Sequence, residues 1–385
     1  MRTSSRLPQH FQPNALSAEL EGLREAGGCW VDLTVSNPTA CGFVYPEDAL
    51  REALGGASVL GYTPDSRGAK IAREAISAWH GHGVRASNLL LTASTSEAYS
   101  WLFKLLGNPG DEVLVPSPSY PLFEWLARLE GLSAVTVPAY FADRWHLDLG
   151  ALEAACGPRT RAIVVVNPNN PTGHFLSKGE WEALLALCER KSQTLIVDEV
   201  FANYALEPPP DHQATALEAA APQCPVFVLS GLSKVAALPQ IKLGWIIARS
   251  AAAQALMEPL AFIADQFLSV SAPAQAAAAD ILRLAPGIQA QIRTRLNINL
   301  AALDTALKGY PHLSRLPVEG GWSVLLRRPA LDSDETCALR LLRQAKVLVQ
   351  PGHYFDLPSD AYLVLSLLTP EATFRQGLAQ ALPVI

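Results

Sequence analysis

The chain has 385 residues, of which 49% are hydrophobic and 17% are charged, and this balance predicts a globular rather than a disordered protein. A chain of 385 residues is longer than one small core usually organises, so we expect two domains. The formal net charge is −6 and no run of Lys and Arg occurs, which argues against a nucleic-acid-binding protein.

The N-terminal part of the chain predicts short, irregular elements. Residues 16–25 could form a short helix, and residues 30–38 read as a short strand that ends in a turn at Asn37-Pro38. Helical patterns then cover residues 46–54 and 69–80, and a loop separates them.

From residue 89 onward, short β-rich runs alternate with helical stretches. This alternation predicts an α/β fold in which a mostly parallel, mixed sheet of seven strands is flanked by helices. Ligands of such sheets bind beyond the carboxyl ends of the strands, so functional residues should follow the runs. The predicted strands are residues 89–92, 112–116, 134–138, 162–167, 194–198, 226–230 and 243–248.

The C-terminal third predicts a smaller α+β unit. A helix-prone segment covers residues 272–307. Three strands are predicted after it, at residues 321–326, 346–349 and 362–366. Two helices are predicted between and after them, at residues 335–344 and 371–382. We therefore predict a large domain at residues 46–275 and a small domain that combines residues 1–45 and 276–385.

Lys234 is the first charge in a long apolar run that begins at Leu229. Burial lowers the pKa of a lysine and leaves a nucleophilic amine, which suits a Schiff base. A lone lysine of this kind more often extends from a core strand to solvent. The neighbouring Ser230, Ser233 and Lys242 change that balance, because hydroxyls and a second cation are what an anchored phosphate needs.

Other polar residues follow the remaining strands. Ser94, Thr95 and Ser96 open a helix whose N-terminus could bind phosphate, although alone they would be only a helix cap. Tyr120 lies in a proline-rich turn, where a single tyrosine would usually serve packing. Asp198 ends a buried run, and a buried carboxylate is costly unless a cation meets it.

One ligand would satisfy all of these groups: an aromatic cofactor with a phosphate, a basic ring nitrogen and an aldehyde. Asp198 would hold the protonated ring nitrogen, and Asn170, from a turn after the fourth strand, the phenolic oxygen. Tyr120 would cover the ring face and Lys234 would bind the aldehyde. The phosphate would lie among Ser94, Thr95, Ser96, Ser233 and Lys242.

Four motifs stand in an order and spacing that resemble a known family. They are Asn167-Pro168-x-Asn170-Pro171-Thr172-Gly173, Asp198-Glu199-Val200, Ser233-Lys234 and Lys242-Leu243-Gly244-Trp245. The chain thereby resembles the fold type I pyridoxal-phosphate-dependent enzymes, and among them the class I/II aminotransferases. The resemblance implies pyridoxal 5′-phosphate as cofactor, with Lys234, Asp198 and Asn170 as catalytic residues.

The same resemblance extends the expected cofactor site. It adds Phe201 to Ser230 and the other residues around the cofactor, and it implies a homodimer with shared active sites, in which Tyr62 reaches the phosphate of the neighbouring subunit.

Three positions depart from the family pattern. The family usually has Tyr at the position of Phe201 and Arg at the position of Lys242. It also usually has, in the final strand, an Arg that binds the substrate's α-carboxylate, and here that strand offers Val364. The remaining candidates for that carboxylate are Asn37, Arg67 and His353, of which Arg67 is favoured.

The sequence therefore predicts a pyridoxal-phosphate-dependent aminotransferase that moves an amino group between an amino acid and a 2-oxo acid through a Schiff base on Lys234. A C–S β-lyase or a decarboxylase on the same fold is the alternative. A regulatory protein that senses the cofactor would need a DNA-binding module, for which the segment before residue 46 leaves little room.

The six cysteines are far apart and include no Cys-x-x-Cys pair, which favours free thiols in a reducing cytoplasm. No run of 18 apolar residues and no apolar leader occurs, so we expect neither a membrane span nor secretion. No metal site is predicted, and the expected partners are small molecules and a second copy of the chain.

Overall fold

The structure is a computed structural model that describes residues 3–8, 11–56, 61–218 and 222–385. The strands are β1 (Val31–Asp32), β2 (Leu89–Thr92), β3 (Glu112–Ser117), β4 (Ser133–Pro138), β5 (Tyr140–Phe141), β6 (Trp145–His146), β7 (Thr160–Val166), β8 (Thr194–Asp198), β9 (Val226–Gly231), β10 (Gly244–Ala248), β11 (Ser314–Arg315), β12 (Ser323–Arg327), β13 (Val347–Leu348), β14 (Gln350–Pro351) and β15 (Tyr362–Ser366). The helices are α1 (Ala15–Glu25), α2 (Glu47–Leu54), α3 (Lys70–His80), α4 (Thr95–Leu106), α5 (Phe123–Leu129), α6 (Leu149–Ala155), α7 (Lys178–Lys191), α8 (Leu232–Val235), α9 (Ala251–Gln254), α10 (Met257–Asp265), α11 (Ala272–Ala276), α12 (Ala278–Leu307), α13 (Asp334–Arg340) and α14 (Glu371–Ala381).

A seven-stranded mixed sheet forms the centre of the molecule, with the order β2-β10-β9-β8-β7-β3-β4. β10 runs antiparallel to both of its neighbours, and the other pairs are parallel. The seven predicted strands and the flanking helices are confirmed. Because β10 runs backwards, its amino end lies at the same sheet edge as the carboxyl ends of β7, β8 and β9.

Both faces of this sheet are covered, and the strands are apolar on both sides for that reason. Successive side chains of β8 point to opposite faces, so Leu195 and Val197 join one hydrophobic cluster and Ile196 joins the other. In β9, Val228 and Leu229 divide in the same way. The interior of the sheet is therefore apolar, and the polar residues of the site lie at the ends of its strands.

The C-terminal part of the chain forms a second, antiparallel sheet with the order β11-β12-β15-β14. Its hydrophobic cluster also contains Leu16 and Leu33 from the N-terminal segment, alongside α12 and α14 residues such as Leu296 and Phe374. This packing agrees with the predicted pairing of the two chain ends in one unit, while the domain limits stay a prediction.

Two predicted elements are divided in the structure. The predicted strand at residues 346–349 is replaced by β13 and β14, because Val347 pairs with β1 whereas Gln350 pairs with β15. The long helical segment is divided at Ala277 into α11 and α12, and α12 contains Pro286. In the described part of the chain, no helix combines the length and the apolarity needed to cross a bilayer.

Candidate active site

A cavity of about 320 Å³ opens where the strands of the main sheet end. Val166, Asp198 and Gly231 line it at the carboxyl ends of β7, β8 and β9, and Gly244 lines it at the amino end of β10. The predicted cofactor residues that line this cavity are Ser94, Thr95, Ser96, Tyr120, Asn170, Asp198, Phe201, Ser233, Lys234 and Lys242.

Lys234 lies on α8, the short helix that directly follows β9. Its Nζ lies 5.6 Å from the centroid of the Phe201 ring and 5.2 Å from that of the Trp322 ring. Tyr204 holds the backbone of this turn, because its hydroxyl donates a 2.6 Å hydrogen bond to the carbonyl of Lys234. Burial lowers the pKa of Lys234, and the charge of Asp198 opposes that shift. The site therefore favours an uncharged, nucleophilic amine.

Asp198 is buried at the end of β8. The Tyr99 hydroxyl donates to its Oδ2 at 2.9 Å, and the Val200 N–H donates to its Oδ1 at 3.0 Å. Burial raises the pKa of Asp198 to about 6, although these two hydrogen bonds and the charge of Lys234 act in the opposite direction. A carboxyl group in this setting gains from a cationic partner, which a protonated ring nitrogen would provide.

Hydroxyl groups and backbone N–H groups surround one end of the cavity. Ser94 caps α4, a helix of 12 residues, and its Oγ accepts from the Glu97 N–H at 3.2 Å. Lys242 adds a cation there from a left-handed backbone conformation with φ of 59°. The strands approach closely at this point, since a Cβ on Gly244 would lie 3.0 Å from the Thr92 hydroxyl and 3.1 Å from the Ser94 carbonyl carbon. This end of the cavity has the chemistry of a phosphate site.

The turn that carries Asn170 is fixed by its own polar side chains. Asn167 donates to the Gln213 carbonyl at 2.8 Å and accepts from the Leu176 N–H at 2.9 Å. Gly173 has φ of 73°, and a Cβ there would lie 2.6 Å from a carbonyl oxygen of Gly320. The turn chemistry that the sequence displayed is therefore needed to hold Asn170 at the cavity.

The structure does not bring five predicted residues into this cavity. Ser230 lies beneath it in β9, with its Oγ buried and unpaired among the described residues. Asn37 caps a short 3₁₀ turn and lies at an adjoining opening. Tyr62 is 80% exposed and lies in a separate surface groove. The other two are Arg67 and His353.

Arg67 and His353 are engaged elsewhere. The Arg67 guanidinium pairs with Glu258 and donates to the Ser87 carbonyl at 3.2 Å. The His353 ring lies 2.8 Å from Asp334 Oδ1, and the His353 N–H donates to Oδ2 of the same carboxylate at 2.6 Å. Within this chain, neither side chain is placed to meet a substrate carboxylate.

Sequence reasoning missed several residues that line the cavity. Tyr99 could have been found, because it lies one helical turn after Thr95 and so faces the same side of α4. Others come from segments whose sequence patterns carry no local sign of a site. They include Thr34, Trp322, Ser323, Gln350 and Ser366.

Comparisons with known proteins agree with this geometry. Residues 30–375 match the family described as aminotransferase class I and II. The glutamate-pyruvate aminotransferase AlaA of Haemophilus influenzae is 29% identical over 363 residues, which cover 90% of this chain and 88% of that protein. The mouse tyrosine aminotransferase is 25% identical over 91% of this chain and 79% of its own length. The solved alanine aminotransferase from Pyrococcus furiosus superposes with a TM-score of 0.88 at 26% identity, covering 98% of each chain.

Proposed function

Since this chain belongs to the aminotransferase class I and II family, we propose that it moves an amino group between an amino acid and a 2-oxo acid with pyridoxal 5′-phosphate as cofactor. The observation that carries the cofactor assignment is the meeting of Lys234, Asp198 and a phosphate-type cup in one cavity. The three groups come from distant parts of the sequence, and each has the chemistry that one functional group of the cofactor requires.

Each part of the cofactor would be bound by different residues of the cavity. Lys234 would bind the aldehyde, Asp198 the ring nitrogen and Asn170 the phenolic oxygen. Tyr120 would cover the ring on one side, with Phe201 near Lys234. Ser94, Thr95, Ser96, Ser233 and Lys242 would bind the phosphate, and Ser230, whose Oγ is buried and unpaired among the described residues, would support them from below.

When bound, the cofactor supplies an aldehyde that joins amines covalently and a protonated ring that accepts electron density from the substrate's Cα. Asp198 would keep the proton on the ring nitrogen, and Tyr99 would orient Asp198 through the 2.9 Å hydrogen bond. Lys234 Nζ would take up the proton that leaves the substrate's Cα and hold it beside the cofactor, and its lowered pKa favours the free amine that can accept a proton.

The working state would be a homodimer in the cytoplasm. Tyr62 lies in a groove that also contains Ile71 and Leu268, and these three side chains are 80%, 62% and 38% exposed. An exposed apolar surface of this kind is typical of a protein–protein interface. The six free cysteines favour a reducing compartment.

The relatives' names supply glutamate, alanine and tyrosine as the first donors to test and pyruvate as an acceptor. We add 2-oxoglutarate, the 2-oxo acid of glutamate, as a second acceptor. We expect the loaded enzyme to lose its cofactor absorbance with a donor alone and to regain it with an acceptor. The Lys234→Ala variant should do neither. Release of ammonia and a keto acid without any acceptor would instead support a lyase.

A further inference from the structure

Among the described residues, the cavity is lined by two cationic side chains, Lys234 and Lys242. The proposed function engages both of them with the cofactor. A substrate that carries an α-carboxylate would add a negative charge to a cavity that contains Asp198 and would also contain the cofactor's phosphate. Burying such a charge without hydrogen-bond donors is strongly unfavourable, so the cavity must supply donors of another kind.

Three polar side chains on one face of the second sheet line the cavity. Directly opposite residues of an antiparallel pair lie on the same face, and in β12 and β15 these pairs include Ser323 with Ser366 and Leu325 with Val364. Gln350 of β14 also lies opposite Val364. Ser323, Ser366 and Gln350 line the cavity, whereas Val364 is buried in a cluster that includes Leu325.

One of these three side chains, Ser366, is already engaged in a hydrogen bond within the chain. The Ser366 hydroxyl donates to the Val35 carbonyl at 2.5 Å, and the nearby Thr34 hydroxyl donates to Asp32 Oδ1 at 2.6 Å. In the part of the chain that the structure describes, no hydrogen bond engages the side chain of Ser323 or of Gln350. One hydroxyl and one amide group therefore remain available as donors to a ligand.

We propose that Ser323 and Gln350 bind the substrate's α-carboxylate through neutral hydrogen bonds. This assignment rests on the proposed aminotransferase function and places the substrate's α-carboxylate beside β12 and β14. A neutral amide donates a stronger hydrogen bond to a carboxylate than to a carboxamide, but burying the carboxylate costs more hydration, so the two effects largely cancel. A guanidinium adds an opposite charge and therefore strongly prefers the carboxylate. The enzyme therefore discriminates weakly between an amino acid and its carboxamide.

The first test compares matched donors on the loaded enzyme. The rate of cofactor conversion would be measured by absorbance for tyrosine against tyrosinamide and for alanine against alaninamide. We expect the acid to exceed its amide in kcat/KM by less than about tenfold, because the stronger hydrogen bonds to the carboxylate are offset by its larger desolvation cost. A preference of about a hundredfold or more for the acids would overturn the assignment, because it would require a cation.

The second test changes the donors. Gln350→Glu places a negative charge in nearly the same volume, so we expect it to weaken binding of 3-(4-hydroxyphenyl)propanoate by about tenfold or more while the corresponding propanamide changes by less than about threefold. Calorimetry on the loaded enzyme measures both, independently of turnover. Ser323→Ala should weaken the acid by about threefold to tenfold. Gln376→Ala, at an exposed position of α14, is the matched control and should change neither ligand.

The outcomes separate the two proposals. Unchanged acid binding in both Gln350→Glu and Ser323→Ala would overturn the carboxylate assignment while leaving the aminotransferase function intact. A protein that takes up no pyridoxal phosphate would overturn the proposed function and, with it, this assignment. Val364→Arg gives a check in the opposite direction, because a cation on the same sheet face should raise the preference for acid over amide by about tenfold or more.

Discussion

Replacing Asp198 with Asn should stabilise the cofactor-free protein and weaken its binding of the cofactor. Burial raises the pKa of this carboxyl from 3.8 to about 6. A shift of about 2 pKa units corresponds to about 3 kcal/mol by which the folded protein disfavours the ionised form. Asparagine is neutral, its Oδ1 can accept from the Val200 N–H, and its NH2 group can donate to the hydroxyl oxygen of Tyr99, so the variant avoids this free-energy cost.

The gain in stability of Asp198→Asn should depend on pH. Because the folded pKa of Asp198 is raised, the cost of its ionisation is complete above about pH 6, shrinks as the pH falls toward 3.8 and is absent below the unfolded pKa. Urea unfolding of the cofactor-free protein should therefore show Asp198→Asn to be more stable by up to about 3 kcal/mol at pH 7, with little difference below pH 4.

Cofactor binding should change in the opposite direction. Loss of a charge-assisted hydrogen bond costs about 1.5–3 kcal/mol, so the dissociation constant should rise by about tenfold to a hundredfold. Asp360→Asn, at an exposed position, is the control and should alter neither property. A variant that is no more stable at pH 7, or whose gain persists unchanged below pH 4, would refute the reasoning about burial.

Three further substitutions test the supports of the site. Tyr99→Phe should raise the cofactor's dissociation constant by about tenfold, because Asp198 loses the hydrogen bond from the Tyr99 hydroxyl. The Tyr120 hydroxyl has no hydrogen-bond partner among the described residues, so Tyr120→Phe should leave the pKa of Asp198 unchanged. Gly244→Ala should lower the free energy of unfolding by about 1–3 kcal/mol through the close strand contact, whereas Gly179→Ala, where a Cβ meets nothing within 4 Å, should cost nothing. Arg144→Met should lower the free energy of unfolding by about 1–3 kcal/mol, because the buried carboxylate of Glu319 loses the two hydrogen bonds of the guanidinium and keeps His174 and the Phe175 N–H.

The main sheet and the residues at its edge could be predicted because each depends on a local pattern. Largely apolar runs of four to six residues predict the strands, and in parallel strands the residues that follow each run lie at the same end of the sheet. Asp198 and Lys234 were found in this way, since a charge at the end of an apolar run is conspicuous. Lys242 could be found although it precedes its strand, because the largely apolar run around Lys234 continues to it.

The substrate side of the cavity could not be predicted in the same way. Gln350 and Ser323 come from a second sheet, and nothing local in β12 or β14 indicates which face meets the first sheet. Arg67 was favoured from its charge and its neighbours in sequence alone. The structure instead engages it with Glu258, a residue 191 positions away. Contacts of that range depend on packing between elements, which the spacing of residues along the chain does not encode.

The most direct test of the account is to locate the covalent attachment of the cofactor. Borohydride reduction of the loaded enzyme, followed by peptide mapping, should place the pyridoxyl group on Lys234. Lys242 is the informative alternative, because it is the other lysine that lines the cavity among the described residues. A label on Lys242, or on any other lysine, would contradict the assignment of Lys234.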